Sequence, residues 1–173
     1  MPILNAKHYT AFGAIIHAYA SVEFGIKAAL AGILEIPYVE VLVITEPYTA
    51  LSLKNVAKSL VKLSTLKMAH KTSFVNIIGD WGTFSPLRNQ IAHCRWQDGS
   101  RPDSVRPIGV DIRSGHAKWI VTEGSRDWTL PELAKQAVDL AGINERTKTF
   151  HKTADLTEIM ERKDAERKAI KEA

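Results

Sequence analysis

Tyr9, Phe12, Ile16, Tyr19, Glu23, Ile26, Leu30 and Ile33 recur at steps of 3, 4, 3, 4, 3, 4 and 3. That spacing holds all eight on one face of a helix and predicts one long first helix packed lengthwise against partners. Glu23 occupies a seam position, where an ionised group is rarely buried unpaired. It either reaches water from the helix edge or is held inside for a purpose. The longest stretch without Lys, Arg, Asp or Glu, His8 to Val22, is 15 residues and too short to span a bilayer. The seam runs on through Glu23 and Lys27 with no small-residue cleavage site, unlike a signal peptide. The expectation is a cytoplasmic protein that starts at Met1 and has no membrane association.

Pro37 ends this helix. Ile36 to Thr45 is β-branched and ambiguous, and helices on both sides favour a short helix. A third element is expected from Pro47 or Thr49 to Ala69, with Leu53, Val56, Leu60 and Leu63 on its apolar face and Lys54, Lys58 and Lys62 in a stripe beside it. A further helical segment spans Lys71 to Ile78 and breaks around Gly79-Asp80-Trp81-Gly82. Ser85 reads as an N-cap with Pro86 in the first turn, opening a helix that carries Leu87, Ile91 and Cys94 inward and stops near Trp96. Around 105–122, Ile108, Val110 and Ile112 alternate with Gly109 and Asp111, Ser114-Gly115 supplies a turn, and Lys118 to Thr122 is aromatic and β-branched. This predicts a β-hairpin inserted among helices. Thr129-Leu130-Pro131-Glu132 is a capping box opening the next helix. The fold class is therefore mainly α with a small inserted β-hairpin: a helical domain over 1–150 and a charged helical tail over 151–173, with Glu158/Arg162 and Asp164/Lys168 at i, i+4.

The 173 residues suit one domain with a single real core. A lone cysteine, Cys94, excludes an intrachain disulfide, and the simplest reading is a reducing compartment. The net charge of +4 is unevenly informative. Residues 158–173 carry five cations and five anions, so the charge-dense tail is neutral and offers no basic arm. Any polyanion footprint has to be a local patch on the folded body.

No glycine-rich phosphate loop, HExxH, nucleophile elbow or zinc-type Cys/His spacing occurs. Neither a metal nor a cofactor is expected. His93 and Cys94 are adjacent and diverge by about 100° on a helix, so they form no dyad. What remains is Arg88-Asn89-Gln90-Ile91-Ala92-His93, followed by Cys94-Arg95-Trp96. On a wheel from Leu87, Asn89 and His93 share a face, while Arg88 lies about 140° from His93. A two-fold dimer that brings the same patch together from both chains solves that geometry. With Ser85 as N-cap, Arg88 is the third helical residue, where the dipole disfavours a cation, and a bound anion near exposed backbone N–H groups would account for it. Bare Arg-x4-His spacing is not selective, because Arg146 to His151 fits it too. Arg88 to His93 adds Asn89, an amphipathic helix, the flanking Trp96 and a position in the middle of the helical order.

At these residues the chain resembles the HEPN superfamily, whose ribonuclease members carry an Arg, a polar residue that is often Asn, and a His after four to six intervening positions. The resemblance covers residues 5–150 more loosely. It implies an antiparallel HEPN-like helical bundle and a homodimer with both Arg–His pairs lining one cleft. It also implies metal-independent RNA cleavage in a toxin–antitoxin or phage-defence setting, with an antitoxin or a nucleotidyltransferase as partner protein. Under that reading His93 moves protons between the ribose 2′-OH and the leaving 5′-oxygen, Arg88 holds the scissile phosphate and Asn89 orients either group. Products would carry a 2′,3′-cyclic phosphate and a 5′-OH. Glu23 would support the pair if the first helix packs near it, and Lys54, Lys58, Lys62 and Arg95 would guide the RNA backbone. The alternative is a dimer of the same type that binds nucleotide, RNA or protein without cutting.

Overall fold

The computed structural model describes residues 4–111, 118–121 and 126–172. The chain is mainly helical, with helices α1 (Ala6–Leu34), α2 (Tyr38–Thr45), α3 (Ala50–Leu63), α4 (Met68–Thr83), α5 (Ser85–His93), α6 (Leu130–Thr153) and α7 (Leu156–Glu172). A small antiparallel sheet holds β1 (Arg95–Asp98), β2 (Ser104–Asp111), β3 (Lys118–Val121) and β4 (Trp128–Thr129). Contacts divide the chain into two compact units, residues 1–19 with 84–140 and residues 20–83 with 141–173. α1 and α6 each contribute one half to each unit.

In the first unit β2 is the central strand. Ile108 pairs with both Arg95 and Val121, and Val105 with both Asp98 and Trp128, so β1 lies along one edge and β3 and β4 follow each other along the other. Trp96 opposes Pro107 and Trp128 opposes Val105, which places these four on one face. α1 covers that face through Phe12, whose ring centroid is 4.5 Å from that of Trp96. Ile15, Tyr19, Leu87, Val105, Leu133 and Leu140 are also buried in this unit. The expected hairpin is present as β2–β3, and its turn, with Ile112, Ser114 and Gly115, lies outside the described residues. The capping box forms. Glu132 Oε2 accepts from the Thr129 backbone N–H (2.7 Å) and hydroxyl (3.0 Å), and Thr129 Oγ1 accepts from the Glu132 N–H (3.4 Å).

The second unit is wholly helical. Its core joins Val22, Ile26 and Leu30 of α1 to Leu53, Ala57 and Val61 of α3, Phe74, Ile77, Ile78 and Trp81 of α4, and Phe150 and Leu156. Phe74 and Phe150 stack with centroids 4.7 Å apart. Gly32 lets α1 approach Leu156: a β-carbon at Gly32 would sit 2.8 Å from that of Leu156. α1 ends in a Schellman turn with Glu35 in the left-handed region (φ 53°), the Ile36 N–H donating to Ala31 O and the Glu35 N–H to Gly32 O. The charged C-terminal helix α7 belongs to this unit. Arg162 faces Glu35, Arg167 faces Glu40, and Asp164 accepts from the Tyr38 N–H at 3.2 Å.

Several sequence expectations change. α3 stops at Leu63 and not Ala69, because the next inward positions after Val61 are the polar Ser64 and Thr65, and Ser64 Oγ turns back to Val61 O. α4 runs through Gly79–Gly82 without a break, since Ile78 and Trp81 are both fully buried three residues apart and hold that turn in place. Ser85 is not the N-cap. Phe84 takes that position in a helical conformation (φ −87°, ψ −9°), and Ser85 Oγ hydrogen-bonds the Tyr19 hydroxyl at 2.8 Å. α5 ends at His93. Cys94 turns extended and the following residues join β2, so Arg95 and Trp96 are on a strand and not on the motif helix. The buried face of α1 also runs one position off the predicted seam at its start, with Ile15 buried and Tyr9 60% exposed. By length and composition alone α1 could cross a membrane, yet Ile15, Tyr19, Val22 and Ile26 are buried within protein.

Candidate functional site

Arg88, Asn89 and His93 all belong to α5, in the first unit. Leu87 anchors the helix inward at 5% exposure. Asn89 and His93 are exposed, and Arg88 is half-buried. The Arg88 guanidinium lies 5.8 Å from the Tyr19 ring centroid, within reach of a cation–π contact. Its Nη1 donates to Asn89 Oδ1 at 3.0 Å. Tyr19 is itself 2% exposed and tied to Ser85. A buried aromatic from α1 therefore fixes the cation, and the cation fixes the neighbouring amide, leaving the Asn89 –NH2 and the remaining guanidinium N–H groups as donors. Neither Tyr19 nor Ser85 was assigned to the site from sequence. The available signal was a tyrosine in an apolar seam, whose hydroxyl needs a partner when buried.

With Phe84 and not Ser85 as N-cap, Arg88 is the fourth helical residue and not the third. Its N–H makes the first intrahelical bond of α5, to Phe84 O at 2.9 Å. His93 stands at the last helical position with no hydrogen bond among the described residues, so nothing described in this chain orients its ring. Cys94 is half-buried and burial pushes its thiol pKa up, the opposite of an activated nucleophile.

Arg95 is exposed on β1 in the same unit. Glu23 and the three lysines fall in the second unit. Glu23 is half-buried with a partner supplied by its own helix, Lys27, at 2.8 Å. Burial, and then the Glu23 charge, push the Tyr38 hydroxyl up to about 12. The rival Arg146/His151 pair is spent on structure. Arg146 Nη1 meets Asp80 at 2.6 Å, and His151 Nε2 hydrogen-bonds Gly25 O at 2.8 Å while burial lowers its pKa.

The first unit also has a shallow cavity of about 330 Å³ lined by Ser100, Arg101, Arg126, Asp127 and Glu132. Its polar groups face each other. Asp127 accepts from Ser100 and the Arg101 N–H, Arg101 pairs with Glu132 at 2.6 Å, and Arg126 lies 3.9 Å over the Trp128 ring. This web pins the 99–103 turn to the start of α6. Gly99 is required there, since a β-carbon would collide with Ser104 Oγ. Among the described residues no group of three His, Cys, Asp or Glu is placed to hold a metal. No protein-family model, curated protein or solved structure matches this chain.

Proposed function

We propose that this chain is an endoribonuclease of HEPN type, cutting RNA by attack of the ribose 2′-OH on the adjacent phosphate. The observation that carries the reading is the Arg88–Asn89 pair, preset by Tyr19 on the same short helix that ends in an exposed His93. Arg88 binds the non-bridging phosphate oxygens and offsets charge in the pentacoordinate transition state. His93 takes the 2′-OH proton or gives one to the departing 5′-oxygen, and Asn89 donates to the phosphate or the ribose. The bond formed is 2′-O to phosphorus and the bond broken is phosphorus to 5′-O, so products end in a 2′,3′-cyclic phosphate and a 5′-OH.

Arg88 and His93 sit about 140° apart around one helix, and one chain has difficulty bringing both to one phosphate. A homodimer that offers Arg88 from one copy and His93 from the other removes the difficulty, and the second copy would orient the imidazole. The purified protein should cleave single-stranded RNA in excess EDTA, and Arg88→Ala and His93→Ala should each abolish it. Cleavage that persists in both variants, or that stops with EDTA, refutes the mechanism.

A second reading, RNA or nucleotide binding without cleavage, is favoured by the unpartnered His93 ring, because a general base is normally held by a further group. It predicts salt-dependent RNA binding by the wild type with no turnover.

A further inference from the structure

The cations of this chain are distributed in two ways. Along α1, α6 and α7 most of them meet carboxylates, as Lys27 with Glu23, Lys135 with Asp139, Arg146 with Asp80, Lys148 with Glu145, Arg162 with Glu35 and Arg167 with Glu40. Residues 47–79, which form α3 and most of α4, hold five lysines (54, 58, 62, 67 and 71) and no Asp or Glu. None of the five has a carboxylate partner among the described residues. Lys71 Nζ instead donates to Lys62 O at 3.0 Å.

Lys54, Lys58 and Lys62 repeat every four residues, about 6 Å along the helix per step. Two of them are seated. A β-carbon at Gly82 would lie 3.1 Å from Lys54 Cδ and 3.3 Å from its Nζ, and one at Gly79 would lie 4.0 Å from Lys58 Nζ. The missing side chains of Gly79 and Gly82 thus leave room on α4 for the ends of Lys58 and Lys54, ammonium groups included, and both residues are half-buried. At the other end, Lys71 brings a fourth ammonium beside Lys62. The result is a row of cations along the α3–α4 edge, of which Lys54 and Lys58 have less rotamer freedom to lose on binding than the exposed Lys62.

We propose that this edge binds the phosphate backbone of single-stranded RNA, one strand laid along the row. A strand presents charges at a spacing similar to the lysine step, and point-charge lysines suit backbone contact without base reading. A bilayer is the less fitting polyanion. Among the described residues, exposed large apolar side chains flank the row only at its ends, Leu51 one turn before Lys54 and Met68 one turn before Lys71, and Leu63 points about 140° away from Lys58. The surface does not depend on the chemistry at His93, and its test is a binding measurement.

The probe is a fluorescein-labelled single-stranded RNA of about 30 nucleotides, titrated by anisotropy with the full chain carrying Arg88→Ala and His93→Ala so that nothing is cut. Adding Lys54→Gln, Lys58→Gln and Lys62→Gln should weaken binding about tenfold or more near 150 mM salt. It should also flatten the dependence of log Kd on log salt by about 2, as expected for three lost phosphate contacts on a single strand. A charge-matched control, Lys148→Gln, Lys152→Gln and Lys163→Gln, should change both far less. Equal losses in the two triple variants would show an effect of net charge alone and overturn the proposal. Binding that moves to anionic vesicles with the same lysine dependence, and not to RNA, would overturn it in favour of a membrane surface. Unchanged helical circular dichroism in the variants separates these outcomes from misfolding.

Discussion

Glu132 gives the best-defined perturbation in the first unit. Its carboxylate receives Arg101 Nη2 at 2.6 Å, the Thr129 N–H at 2.7 Å and the Thr129 hydroxyl at 3.0 Å. Arg101 foremost, and then the capping bonds, lower its pKa from 4.5 to about 2. A shift of that size would correspond to about 3.4 kcal/mol at 1.36 kcal/mol per unit. The carboxylate is about a third exposed (32%), so solvent screening reduces the expectation to about 1–1.5 kcal/mol. Because the folded-state pKa is depressed, this stability is present above the unfolded value near 4.5 and is lost as pH falls through 2. Glu132→Gln should therefore lose about 1–1.5 kcal/mol at pH 7, measured by urea unfolding followed through tryptophan fluorescence. The gap between variant and wild type should shrink steadily from pH 5 downward and nearly close by pH 2. A gap of the same size at pH 7 and pH 2.5 would refute the electrostatic account and leave only packing.

Two glycines of α1 should respond in opposite directions. A β-carbon added at Gly13 would meet nothing within 4 Å, so Gly13→Ala should gain about 0.5–1 kcal/mol in thermal or urea unfolding. Gly32→Ala should lose about 1–2 kcal/mol net, because overpacking against Leu156 exceeds the propensity gain. Glu35→Gly should stabilise by about 0.5 kcal/mol, since relief of the left-handed backbone outweighs a long, exposed ion pair to Arg162 at 3.8 Å. Tyr19→Phe removes the bond to Ser85 at a cost of about 1 kcal/mol and keeps the ring under Arg88, whereas Tyr19→Leu removes both. In a cleavage assay only the leucine variant should lose most of its activity.

The parts that could be read from the chain were those decided locally. The helical period of the first helix, though not the exact start of its buried face, the alternation of β2 and the Thr129–Glu132 box each carry their own periodicity or chemistry within a few residues. The parts that could not were decided by distant partners. Ser85 has every local mark of an N-cap, but Tyr19, 66 residues earlier, takes its hydroxyl. Gly79 to Gly82 looks like a breaker until Trp81 is buried and Asp80 is held by Arg146. Leu87, Ile91 and Cys94 continue a helical pattern past His93, and pairing with Pro107 and Arg106 pulls Trp96 and Gln97 into a strand instead. The Schellman turn hides because Glu35 occupies the place where glycine would announce it. The motif residues themselves were legible by type and spacing. Their support was not, because the ring beneath Arg88 comes from another helix.

The central claim, that Arg88 and His93 form one cleaving site, is tested most directly by product chemistry. End-labelled single-stranded RNA is incubated with wild type, Arg88→Ala and His93→Ala in excess EDTA, and the fragments are analysed for their termini. Fragments ending in a 2′,3′-cyclic phosphate from the wild type alone, with matched DNA left intact, are the predicted result. Fragments with 3′-OH and 5′-phosphate ends, or equal cleavage by all three proteins, would contradict it.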